Sequence, residues 1–207
     1  MTITAAQLQE FLGDRYTIRQ PLGGGSMSLV FAADDLRHGR PVAIKVLLPD
    51  YVATLAAERF HREIQIAARL QHPHIVPLLD SGETHGVFYL VMPLIEGETL
   101  RARLVRAGQL PIRDVLRILA DVADALAYAH RKGIIHRDIK PDNVFLVSMP
   151  GVDDLVKLLD FGIAKLTSEA QEQLTERGSM LGSPAFMAPE QIRTRNVDHR
   201  ADIYALG

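Results

Sequence analysis

The chain is 207 residues long, 47% hydrophobic and 23% charged, with a net charge of −2 and no cysteine. This is the composition of an ordinary globular protein of one or two compact units; it excludes a disulfide framework and a thiolate metal site, and its near-neutral balance speaks against charge-driven nucleic-acid binding. The longest apolar stretch, 87–95, is too short to span a bilayer.

Thr4 followed by Ala5, Leu8, Phe11 and Leu12 predicts a short capped helix ending at Gly13, packed outside the strands that follow. From Tyr16 the apolar period becomes two: Tyr16 and Ile18, then Leu29 and Phe31, then Val42, Ile44 and Val46, each group bounded by Gly, Pro or Asp. That pattern predicts an antiparallel sheet. Its first turn runs Leu22-Gly23-Gly24-Gly25-Ser26-Met27-Ser28-Leu29-Val30. Glycines there let the backbone approach a polyphosphate and aim N–H groups at it, although a plain hairpin turn has the same composition. The third strand carries Lys45 among apolar β-formers, and an inward ammonium needs an anion. A helix over 56–70 places Phe60, Ile64, Ala67 and Ala68 on one side, with Glu63 bordering the stripe as the candidate partner of Lys45. His72 and His74 flank Pro73 in a turn and are read as structural, since no third metal ligand is near in sequence. Two strands are predicted next, over 75–79 and 87–92, and then a connector over 93–96.

The second half starts with a short helix over 98–105 and a long one over 111–132, whose predicted buried face is Val115, Leu119, Val122, Ala123 and Leu126, closed by Gly133. Next comes the octapeptide His136-Arg137-Asp138-Ile139-Lys140-Pro141-Asp142-Asn143. It fixes an acid, a base and an amide within six residues between apolar flanks, which is how a scaffold aims several polar groups at one ligand. A hairpin over 144–147 and 155–159 delivers Asp160-Phe161-Gly162. A polar stretch with the hydroxyls Thr167, Ser168, Thr175, Ser179 and Ser183 leads to Ala188-Pro189-Glu190, and 198–207 begins a further helix containing Asp202.

Taken together, these residues resemble the protein kinase family: a glycine-rich loop at Gly23 and Gly25, the Val42-Ala43-Ile44-Lys45 strand, the His136-Arg137-Asp138 loop with Asn143, the Asp160-Phe161-Gly162 triplet and the closing Ala188-Pro189-Glu190. The wording of the motifs is most similar to the bacterial Hanks-type serine/threonine kinases. The resemblance implies an α+β, bilobal fold: a helical lead-in at 1–15, a first lobe of antiparallel sheet plus one helix at 16–92, a hinge at 93–97, and a mainly helical second lobe from 98 that stops at 207, inside its central helix. It implies ATP and Mg²⁺, with the γ-phosphate passing to protein serine or threonine. In that reading Asp138 takes the proton of the substrate hydroxyl, and Lys140 offsets charge on the transferring group. Lys45, held by Glu63, meets the phosphates. Asn143 and Asp160 hold the metal. Leu22, Gly23, Gly25, Val30, Ala43, Met92, Pro93, Ile95 and Phe145 join Lys45 in binding ATP. His136, Arg137, Phe161, Gly162, Ser183, Glu190 and Asp202 support the site. Thr175 and Ser179 are the expected regulatory phosphosites, with Arg137 as a receiving cation and a homodimer as a route to trans-autophosphorylation. Ser28 stands where the family's third glycine is expected, and Pro93 brings no N–H to the hinge. Partners are protein substrates, with no nucleic acid and no membrane contact within the chain. The kinase part belongs in the cytoplasm, and the parent protein is open to membrane anchoring. A pseudokinase or nucleotide-binding scaffold, and an inactive fragment of an active parent, remain as alternatives.

Overall fold

The computed structural model describes residues 3–25, 28–48, 57–148, 154–161, 184–193 and 197–207. The expected roles of Gly162, Thr175, Ser179 and Ser183 fall outside them. The chain divides into two compact units: the described parts of Met1–Ala68 and Pro77–Leu94, and those of Arg69–Val76, Ile95–Lys165 and Gly182–Gly207.

Unit 1 opens with helix α1 (Ala5–Leu12), whose N-cap Thr4 and Gln7 form a reciprocal capping box, with Gly13 as the C-cap. A five-stranded antiparallel sheet follows in the order β1-β2-β3-β5-β4, from β1 (Tyr16–Gly24), β2 (Ser28–Asp35), β3 (Arg40–Leu47), β4 (Asp80–Thr84) and β5 (Val87–Pro93). Alternation sorts its two faces. Phe31, Ala33, Val42, Ile44, Val46, Val87 and Val91 form one core with Ile3, Leu8 and Leu12 of the lead-in and with Tyr16. The alternate residues Val30, Ala32, Ala43, Lys45, Leu90 and Met92 lie on the other face, in the registered rows Val30–Lys45–Leu90 and Ala32–Ala43–Met92. Helix α2 (Ala57–Ala67) packs on this second face, where the rings of Phe60 and Phe88 stack at 4.2 Å.

The strand expected over 75–79 is displaced. Ile75 is buried and bridges Leu158 within unit 2, while the more polar Asp80–Thr84 takes the sheet edge as β4. Apolarity marked the segment that fills a core, whereas an edge strand with a solvated face carries polar residues.

Unit 2 holds α3 (Leu100–Ala107), the long α4 (Ile112–Arg131) and a three-stranded sheet β6-β7-β8, from Gly97–Thr99, Val144–Val147 and Leu155–Leu158. The expected helix start at 98 is instead strand β6, and Thr99 is the N-cap whose hydroxyl accepts from Ala102 N–H. Gly97 has φ 149°, and a Cβ there would drive into the backbone oxygen of Leu146 on β7. The buried face of α4 is Ile118, Val122, Ala125, Leu126 and Ala129, rotated from the expected stripe; Val115 and Leu119 are over a third exposed and Ala123 is exposed. The turn at His72 and His74 is tied to this helix and sheet, with His72 Nε2 3.2 Å from Asp124 and His74 Nδ1 2.9 Å from the Val156 carbonyl. Short helices α5 (Pro189–Arg193) and α6 (Arg200–Leu206) complete the described unit. Among the described residues, no helix is long and apolar enough to cross a membrane.

Candidate active site

Asp138, Lys140 and Asn143 come together in unit 2. Lys140 Nζ lies 2.8 Å from Asp138 Oδ2, and the Asn143 carboxamide donates to the same oxygen at 2.9 Å and to the Asp138 carbonyl at 2.8 Å. Pro141–Asn143 form one turn of 3₁₀ helix, closed by Asn143 N–H on the Lys140 carbonyl, and that turn folds the amide back over the acid. The carboxylate is therefore aimed by two neighbours of opposite kind, a cation and an amide donor.

The loop is also held from beneath. Asp202, 1% exposed, accepts from the backbone N–H of His136 at 2.8 Å and of Arg137 at 2.7 Å, and lies 2.7 Å from His130 Nε2. Arg137 has φ 67°, a left-handed backbone that costs a side-chain-bearing residue roughly 1–2 kcal/mol. Two charge-assisted bonds to the flanking N–H groups offset that strain. The carbonyl of Arg137 accepts from Gln191 Nε2 at 2.8 Å, and Gln191 Oε1 accepts from Ala188 N–H. The segment before α5 is thus tied to the loop.

His136 is fully buried and joins two site residues. Its Nδ1 accepts from Asp138 N–H at 3.3 Å and its Nε2 meets the Leu159 carbonyl at 2.8 Å, so the imidazole carries its proton on Nε2. Leu159 precedes Asp160, and its own N–H donates to the Asn143 carbonyl. Asp160 has φ 66°, and buried Phe161 sets its ring edge-on to His136 at 4.6 Å. Phe145, on β7, is paired with Thr99 and Lys157, and the Lys157 ammonium is pushed below its ordinary range by burial.

Unit 1 places Val30, Ala43, Lys45 and Met92 on one sheet face, together with α2 and its Glu63. Leu22 and Gly23 lie in the exposed end of β1, Gly23 with φ 149°, and Gly25 N–H donates to the Ser28 carbonyl, closing the glycine hairpin. Pro93 ends β5, and Ile95 is the first residue of unit 2 after the crossover. Glu190 is in the first turn of α5.

Linear reasoning missed His130, Gln191 and the Leu159 carbonyl. No local spacing signals them, because each bond spans 23 residues or more.

The family described as "Protein kinase domain" matches residues 16–207. The chain belongs to the protein kinase family. Its relatives include serine/threonine-protein kinase PknB of Mycolicibacterium smegmatis, 39% identical over 203 residues, and PrkC of Bacillus subtilis, 40% identical over 197. These alignments cover 96% and 95% of this chain but 32% and 30% of the relatives, so the chain spans about a third of their length. The kinase pkn2 of Myxococcus xanthus is 41% identical over 198 residues. Among solved structures, the Mycobacterium tuberculosis PknI kinase domain aligns with a TM-score of 0.75 at 35% identity, covering 95% of this chain and 71% of that one. This family assignment, to bacterial serine/threonine kinases, agrees with the motif reading, and the fold is the expected α+β kinase fold. Kinases of this family generally use ATP and Mg²⁺.

Proposed function

We propose that the chain transfers the γ-phosphoryl group of ATP to serine and threonine hydroxyls of proteins. The observation that carries this reading is the Asp138 carboxylate, engaged by Lys140 and Asn143 on a loop whose backbone Asp202 fixes. Held so, Asp138 orients the substrate hydroxyl and accepts its proton as the oxygen attacks the γ-phosphorus and the bond to the leaving ADP oxygen breaks. Lys140 offsets charge on the transferring group. Positioning and electrostatics supply nearly all of the acceleration.

The donor set suits magnesium. The Asn143 amide nitrogen is committed to Asp138, so it is the oxygen that the side chain offers, and Asp160 adds a carboxylate: two hard oxygens, the number such ions take from protein when phosphates supply the rest. Asn143 and Asp160 would hold Mg²⁺, which would supply neutralisation of the phosphate charge. In unit 1, Lys45, partnered by Glu63, meets the phosphates; Leu22, Gly23 and Gly25 cover them. Val30, Ala43 and Met92 on their sheet face, and Phe145 on β7, are assigned to the base by their places in the family's pattern, with Pro93 and Ile95 offering backbone groups to it. His136, Phe161 and Asp202 hold the site in place, and Gly162, Ser183 and Glu190 extend that support. Thr175 and Ser179 are target hydroxyls for phosphorylation by a second copy, with Arg137 receiving the phosphate. A supply of ATP places the reaction in the cytoplasm.

The test is transfer of radiolabelled γ-phosphate from ATP with Mg²⁺ to the chain and to a generic basic protein, with Asp138→Asn and Lys45→Met alongside. Label on serine or threonine that Asp138→Asn lowers by about 10²–10⁴-fold, the usual contribution of a general base, supports the reading. Absence of label on a folded protein that binds ATP would leave a nucleotide-binding scaffold in its place.

A further inference from the structure

The family match begins at residue 16, yet α1, which precedes it, is built into unit 1. Ile3, Leu8 and Leu12 are buried in the sheet's core, and the Phe11 ring stacks on His85 of the β4–β5 turn at 4.4 Å. One polar residue of α1 does something different. The Gln9 carboxamide donates to the Tyr16 carbonyl at 3.2 Å and accepts from Ile18 N–H at 2.7 Å. Among the described residues β1 is an edge strand whose ladder partner is β2, and those groups lie on its other side. One residue on a parallel neighbouring strand would make the same two bonds, so Gln9 stands in for a sixth strand one residue long. Gly13 permits the approach, since a Cβ there would sit 2.6 Å from the Gln9 carbonyl and 2.9 Å from its Nε2.

Beyond Ile18, β1 loses regularity. The register with β2 shifts between Ile18 and Pro21 and again between Pro21 and Gly23, and every residue from Arg19 to Gly25 is half-exposed or exposed. The glycine hairpin therefore hangs from a strand whose last two-sided support is the Gln9 pair. We infer that Gln9 is a positioning residue for the nucleotide: by securing the root of β1 it reduces the ordering that Leu22, Gly23 and Gly24, at the end of that strand, undergo when ATP binds. This rests on the kinase reading given above. A segment that must be ordered on binding weakens affinity by the free energy of that ordering.

The experiment measures ATP·Mg²⁺ affinity by calorimetry, kcat and KM for ATP and for a protein substrate, and amide exchange at Ile18, Gly23 and Gly24, all in the full chain. Gln9→Leu removes both bonds at similar volume, Gln9→Glu keeps the acceptor for Ile18 N–H, and Leu8→Ala loosens the core that α1 shares with Tyr16 while keeping the Gln9 carboxamide. The expected result is a rise of roughly three- to tenfold in Kd and KM for ATP in Gln9→Leu, with kcat and the KM for protein substrate within about twofold of the parent, the size set by losing two hydrogen bonds. Gln9→Glu lies between the two, Leu8→Ala leaves nucleotide affinity unchanged, and exchange quickens at Ile18 and onward to Gly24 in Gln9→Leu alone. Equal ATP affinity in parent and Gln9→Leu, or an equal loss in Leu8→Ala, overturns the inference and leaves the kinase standing. A parent chain that binds no ATP overturns the kinase reading and this inference with it.

Discussion

The loop at His136–Asn143 and the glycine hairpin at Leu22–Ser28 are both attributed to phosphoryl transfer, and they are built by opposite means. The first is pinned by side chains: of the buried polar or charged residues among those described, His136, Asn143 and Asp202 belong to it or to its support, and only Asp35 lies elsewhere. The second is made of backbone: its described residues 22–25 are exposed, and the strand leading to it carries two register shifts and, among the described residues, ladder bonds on one side. A group that must hold a hydroxyl within a fraction of an ångström needs its rotamer and backbone fixed in advance. A cover for phosphates has to admit and release nucleotide, so a lightly tied strand suits it.

If that contrast holds, removing one side chain beneath the loop has a large effect. Asp202→Ala strands the N–H groups of His136 and Arg137, and we expect a loss of about 3 kcal/mol in urea unfolding, together with a collapse of phosphoryl transfer. A loss under ~1 kcal/mol would show that the backbone keeps its left-handed turn without the carboxylate. The corresponding change in the hairpin, Leu22→Ala at a side chain 47% exposed, should move stability by less than about 0.5 kcal/mol and register only in the KM for ATP.

The smallest effect is in acid, and it concerns the buried carboxyl of unit 1. Burial raises the Asp35 carboxyl, but bonds from the His38 ring and from the backbone N–H groups of His38 and Arg37 outweigh it, and its pKa ends below the ordinary value. Because it titrates lower when folded, it adds stability at pH above the unfolded value of about 4, and that contribution disappears as pH falls through the lower folded value. Thermal unfolding followed from pH 6 to pH 2.5 should therefore show a steeper decline below pH 4 in the parent chain than in Asp35→Asn. Parallel curves would assign the acid sensitivity to other carboxyls.

Much of the site was legible because its chemistry sits in contiguous spacing. Asp138, Lys140 and Asn143 meet across one 3₁₀ turn, and six residues of sequence suffice to bring them together. The Thr4 capping box and the β7–β8 hairpin were readable for the same reason. What failed depended on distant partners. The strand expected over 75–79 was an apolar segment claimed by Leu158, 83 residues beyond Ile75, and the buried face of α4 was decided by the sheet it packs on rather than by its own period. No local spacing pointed to Gln9, because its two bonds depend on where β1 is laid against α1.

The placement of α1 bears on how the protein behaves when its boundaries are drawn by family likeness. A chain begun at Tyr16 would shed Ile3, Leu8 and Leu12 and present Phe31, Val42, Ile44 and Val91 to water, beside a strand edge stripped of its Gln9 cover. A flat apolar face next to open N–H and C=O groups is a template on which sheets of separate molecules stack. Residues outside the family likeness thus cover a face that would otherwise invite aggregation.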